Sequence, residues 1–195
     1  MRRPAAFFTI AFGLGAISLA PWVGARAQDN REEGPREIEK CQTIDKPGSY
    51  KLVNNLTFTG TTGACLPITA SFVTIDLAGF TITGNDSAGA SATQVTGGDG
   101  LGIAVRNGSN SGFGFGVNIG GESQIVEGLR VFGPAPIQNG VGITAGGIVR
   151  NNFVTGFAGL PSSNDTGILA SGVVTGNFVV VGCPNGFAIG KGSTV

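Results

Sequence analysis

From residue 72 onward, short β-branched runs alternate with Gly, Asn and Asp turns at near-regular spacing. In Val73-Thr74-Ile75-Asp76-Leu77 the apolar residues fall on every second position. That alternation predicts a strand with Val73, Ile75 and Leu77 inward and Thr74 and Asp76 outward. The clearest repeated frames open at Gly142-Ile143 and Gly167-Ile168. Each continues through a small-residue corner and an aliphatic pair to Asn152-Phe153-Val154 or Asn177-Phe178-Val179. A further copy opens at Gly186-Phe187-Ala188-Ile189, and an earlier one carries Gly79-Phe80 where the others carry Asn-Phe. A period of about 20–30 residues built from strands and sharp turns predicts a solenoid. Antiparallel hairpins in a sandwich would explain the strand lengths but not the repeated frame. Asn152 and Asn177, one repeat apart, are placed to stack and hydrogen-bond along the axis. No apolar stripe of helical period competes.

The glycine content fits this reading. Gly fills 35 of 195 positions and Pro another 9, about twice the usual share of these two residues. A closed coil needs several positive-φ corners per turn, which Gly and Asn supply. No Gly-X-Y period suggests collagen. With 41% of residues apolar and a mean hydropathy of +0.25, the composition is not that of a disordered chain.

The stretch Cys41-Gln42-Thr43-Ile44, Pro47-Gly48-Ser49-Tyr50, Asn55-Leu56-Thr57, Cys65 and Val73 to Ile82 resembles the opening of secreted right-handed parallel β-helix repeat proteins of the broad pectate-lyase-like group. Val105-Arg106-Asn107-Gly108, Gly112-Phe113-Gly114, Gly116-Val117 and Val126-Glu127-Gly128-Leu129 resemble their following coils. The resemblance spans about residues 41–195. It implies an all-β fold, a single right-handed parallel β-helix preceded by a cleaved signal peptide. It does not select among lyases, hydrolases, epimerases, binding modules and adhesins.

The N-terminus has the layout of a secretory signal. Arg2 and Arg3 precede an apolar run from Ala5 to Ala20, and Ala25-Arg26-Ala27 offers a cleavage site before Gln28. The run is shorter than the roughly 20 residues a spanning helix needs, so residues 1–27 read as a removed signal and the mature chain as exported, periplasmic or extracellular. Residues 28–40 are dense in charge and read as a solvated leader with little structure. The solenoid then occupies 41–195. Export makes Cys41 and Cys65 disulfide candidates, and Cys183 reads as a small buried apolar residue. If Gly186 opens a frame, its Asn would fall just past Val195. The reading is therefore a last coil completed by further chain or by a stacking partner.

Charge and residue chemistry narrow the function. Twelve Lys and Arg balance twelve Asp and Glu, so no basic face recruits nucleic acid. The absence of His removes Ser-His-Asp and Cys-His catalysis and His-ligated zinc, and no metal site is read from the sequence. Aligned coils place Asp76, Arg106, Glu127, Arg150, Thr175 and Thr194 in one outward column. Alternating signs there read as a self-neutralising surface ladder. The functional alternative is a polar groove in which Asp76, Arg106, Glu127 and Arg150 bind a glycan. Asp76 and Glu127 are the two candidate catalytic carboxyls, two coils or about 9–10 Å apart. Glycoside hydrolysis needs two carboxyls at about that range, but Arg106 between them favours both in the ionised form, unsuited to a general acid. Asp86, Asp99, Glu122 and Asp165 share no column with another carboxylate. The sequence calls for no cofactor, with calcium entering only for a polysaccharide lyase. The Asn-x-Ser/Thr sites at Asn55, Asn85, Asn107 and Asn164 matter only in a eukaryotic secretory host. The functional expectation is a binding or structural protein directed at carbohydrate. The alternatives are a polysaccharide lyase or glycoside hydrolase with catalytic coils beyond residue 195, and an adhesin passenger.

Overall fold

Strand-forming runs separated by positive-φ corners can stack coil on coil, and this is what the chain does. A computed structural model describes residues 34–97, 100–134, 139–159, 161–182, 185–190 and 193–194. The proposed signal peptide, Asp99, Cys183 and Val195 lie outside the described residues. The strands are β1 (Arg36–Ile38), β2 (Gly48–Leu52), β3 (Leu56–Thr57), β4 (Thr62–Ile68), β5 (Val73–Asp76), β6 (Thr81–Val95) and β7 (Ala104–Phe132). They continue with β8 (Val141–Arg150), β9 (Phe153–Phe157), β10 (Thr166–Ala170), β11 (Gly172–Thr175), β12 (Phe178–Val181), β13 (Phe187–Ile189) and β14 (Ser193–Thr194). β6, β7 and β8 each run through a corner and so contribute to more than one side.

The pairings between these strands are parallel, forming a β-solenoid of about five turns with no helix among the described residues. That excludes the hairpin sandwich. Three stacks of short strands make its sides. The first runs Tyr50, Ile75, Val105 and, through Val126, to Val149 and Val174. The second holds two registered triads, Leu56–Ile82–Asn110 and Val131–Val154–Val179. The third stacks Leu66, Thr93, Val117, Ile143, Ile168 and Ile189.

Val73, Ile75 and Leu77 are buried and Thr74 and Asp76 half-buried, as the alternation predicts. Burying each large aliphatic stabilises by about 1.5–3 kcal/mol. The core is narrow. A Cβ built on Gly142 would lie 2.5 Å from both Val154 Cγ1 and Gly167 O. Gly142 and Gly167 therefore face the Val154 and Val179 column and leave room for it.

Four register details differ from the sequence reading. Arg36–Ile38, in the stretch read as an unstructured leader, pairs with Tyr50–Leu52 and buries Ile38. Ile38, the one aliphatic of that strand, enters the core while Arg36 and Glu37 stay exposed. Phe80 does not match Phe153: Thr81 pairs with Ser109, because Leu77 to Phe80 fill a corner that Asn107 and Gly108 fill one coil on. Gly186 does not open the last frame, since Thr166 pairs with Phe187 and Gly167 is matched by Ala188. Likewise Thr194 pairs with Val173 rather than Thr175.

Candidate functional site

The outward column forms as drawn as far as Thr175. Asp76 pairs in register with Arg106, and Glu127 with Arg150. Ile125 N donates to Ile103 O at 2.8 Å, which sets Glu127 beside Arg106. Lys51, which the sequence reading passed over, pairs in register with Asp76 and extends the alternation of sign.

The charges are spent on one another. Arg106 Nε lies 3.3 Å from Asp76 Oδ2, an ion pair without a directed hydrogen bond. Asp76 Oδ1 accepts from Ala78 N at 2.8 Å, holding the positive-φ corner at Ala78, and Asp76 Oδ2 accepts from Asn107 Nδ2 at 3.3 Å. Arg150 Nε donates to Glu127 Oε2 at 2.7 Å, with Nη2 2.5 Å from the same oxygen. Both pairs are partly exposed, so each contributes no more than about 1 kcal/mol.

Beside this column, the corner between the first and second stacks carries an open hollow of about 260 Å³. Gly79, Asn107, Gly108, Ser109, Gly128 and Arg130 line it. Local sequence explains the hollow. Each coil turns here through a left-handed residue: Gly79 at φ 86°, Asn107 at 58° and Gly128 at 63°. Gly supplies that conformation without strain and leaves bare backbone. Gly108 is glycine for another reason, because a Cβ there would meet Phe80 O at 2.7 Å. Arg130 rises at the edge, on the strand segment that pairs with Phe153.

In the C-terminal coils the same corner is filled by asparagine. Asn152 Nδ2 donates to Val126 O at 3.0 Å and to Asn177 Oδ1 at 2.9 Å, while Asn152 Oδ1 accepts from Leu129 N at 3.0 Å. Asn177 Nδ2 repeats the bond to Val149 O at 2.9 Å. The stacking drawn from the repeat is therefore present. Next to it, Phe153 and Phe178 stack on the outer surface at 5.2 Å with an interplanar angle of 5°, and Phe132 lies 6.0 Å from Phe153. Phe153 and Phe178 each cover one face of the other, and all three rings stay exposed, Phe178 the most.

A second hollow, about 510 Å³, is lined by Arg36, Glu37, Gln42, Thr43, Asp45, Lys46 and Tyr50. It is larger but already knit: Arg36 Nη1 donates to Tyr50 Oη at 2.8 Å and to Pro47 O at 3.2 Å. Its lining carries both signs of charge, so the corner hollow is the better candidate.

Cys41 and Cys65 form a disulfide closing 24 residues. Asp165 is fully buried and accepts from Gly140 N at 2.7 Å, Gly159 N at 2.6 Å and Ser163 Oγ at 3.2 Å. It ties two coils together and is out of reach of a ligand. Asp86 and Glu122 are exposed. Among the described residues no group of three His, Cys, Asp or Glu could hold a metal ion, and no helix is long and apolar enough to cross a membrane. The chain matches no protein-family profile, no curated protein and no solved structure.

The sequence reading thus placed the charged column but missed the hollow beside it. A partial signal was present: Asn107-Gly108 and Gly128 directly follow Arg106 and Glu127, while Gly79 stands three residues after Asp76.

Proposed function

We propose that this chain is an exported, right-handed β-solenoid that acts as a binding or structural protein, with a carbohydrate ligand seated in the corner hollow. The observation that carries the reading is the hollow itself. It is a small open concavity over bare glycine backbone, edged by an amide, a hydroxyl and a guanidinium. Sugars present hydroxyls around a flat ring. A binding site for them needs convergent polar groups and unobstructed approach to the backbone. A repeating ligand also suits a repeating scaffold, because adjacent coils offer equivalent positions about 4.8 Å apart.

Right-handedness follows the general preference of parallel crossover connections. The Cys41–Cys65 disulfide is consistent with export to an oxidising compartment. The column of Asp76, Arg106, Glu127 and Arg150 supports a structural role, because each charge is met by its neighbour.

The test is a binding titration of the purified chain against neutral and acidic polysaccharides, run beside reducing-end and unsaturated-product assays with calcium present. The reading expects saturable binding and no product. Product release lost on Asp76→Ala or Glu127→Ala would replace it with an active site on the charged column.

A further inference from the structure

We infer, on the reading just given, that the corner hollow is selective for an acidic sugar unit, its oxyanion held by Arg130 and Ser109.

Four arginines lie among the described residues, and three are engaged. Arg36 donates to Tyr50 and Pro47, Arg106 pairs with Asp76, and Arg150 pairs with Glu127. Arg130 makes no such bond among the described residues, yet it borders a concavity. The carboxylates of the neighbouring column are already neutralised by Arg106 and Arg150, so they do not quench Arg130. The hollow therefore presents an uncompensated cation. A guanidinium offers planar, paired N–H donors that match carboxylate or sulfate geometry.

The other edges complete the selection. Ser109 has its backbone N–H committed to Phe80 O at 3.0 Å, which fixes the residue while its hydroxyl remains a donor beside Arg130. Asn107 has Nδ2 directed to Asp76, so its Oδ1 is the atom that faces Gly128, 3.2 Å from where a Cβ would stand. That oxygen accepts a hydroxyl and gives nothing to an anion. A Cβ at Gly79 would meet nothing within 4 Å, so the floor there stands open to a ring. Donors at one side and an acceptor at the other suit a unit bearing both an oxyanion and hydroxyl groups. A neutral sugar leaves Arg130 unused, and a simple inorganic anion leaves Asn107 unused.

The experiment titrates the full chain with an acidic polysaccharide, with the same polymer after carboxyl reduction, and with a sulfated neutral polymer. The acidic form should bind at least about tenfold more tightly than the carboxyl-reduced form. Arg130→Gln should erase that difference without moving the unfolding midpoint, and Arg130→Lys should restore part of it. The acidic advantage should shrink with added salt. Tight binding of the sulfated polymer with weak binding of the uronate supports the oxyanion site and names sulfate as its source. Equal affinity for the acidic, reduced and sulfated polymers overturns the oxyanion site and leaves the hollow as a neutral-sugar site, and an acidic preference that survives Arg130→Gln overturns the assignment of the oxyanion to Arg130. Absence of binding to every polymer overturns the carbohydrate reading itself.

Discussion

Asn152 Nδ2 donates to Asn177 Oδ1 across one coil, 2.9 Å apart and 25 residues away in sequence. The same side chain also serves Val126 O and Leu129 N. Removing it strands a carbonyl and an amide at a buried corner, at about 1–3 kcal/mol per group. Asn152→Ala should therefore destabilise by about 3 kcal/mol in chemical denaturation. A loss below about 1 kcal/mol would mean that the stacked amides are incidental to the corner.

Asn110 gives the opposite expectation. It is buried in register with Ile82, and its Oδ1 has no protein hydrogen-bond partner. Replacing an unsatisfied polar group by an apolar one of similar shape is neutral or stabilising. Asn110→Val should raise stability by about 1 kcal/mol, read as a higher denaturation midpoint at unchanged slope. Marked destabilisation would show that Asn110 holds a bond essential to the core.

Much of the fold was legible because alternation sets which side chain enters the core. Val73, Ile75 and Leu77 could not have pointed elsewhere without exposing three aliphatics, so that strand needed no structure to place it. Corner lengths were harder to read. Corners carry little apolar pattern, so the residues that lengthen the turn after Asp76 left no signal, and Phe80 took the place of Phe153 in the alignment. The same weakness moved Gly186 and Thr194 out of register. The charged column was readable because its residues follow an inward aliphatic in each coil. The hollow was harder to read, because a concavity is made by missing side chains on successive coils, and the longer turn after Asp76 sets Gly79 out of step with Asn107 and Gly128.

Asp165 is a buried carboxylate that accepts two backbone N–H groups and the Ser163 hydroxyl. Asp165→Ala removes the acceptor of the Gly140 and Gly159 N–H groups, and we expect a loss of about 3 kcal/mol or more. Measured by thermal or chemical unfolding, a change within about 0.5 kcal/mol would contradict its role as the clamp between coils.

The disulfide acts mainly on the unfolded chain. Closing a 24-residue loop restricts the denatured ensemble and stabilises by about 3 kcal/mol in the chain-entropy model. Unfolding with and without reductant, or of Cys41→Ser with Cys65→Ser, should show that difference. Equal midpoints would mean the first coil is held by packing alone.

We propose that the corner hollow, and not the charged column beside it, holds the ligand. The most direct test compares Arg130→Ala with the double variant Glu127→Ala and Arg150→Ala, using the polysaccharide that the unmodified chain binds best. We expect Arg130→Ala to weaken binding about tenfold or more, and the double variant to stay within about twofold, because it removes a pair that is internally neutral. Retained affinity in Arg130→Ala together with lost affinity in the double variant would place the ligand on the column and contradict the account.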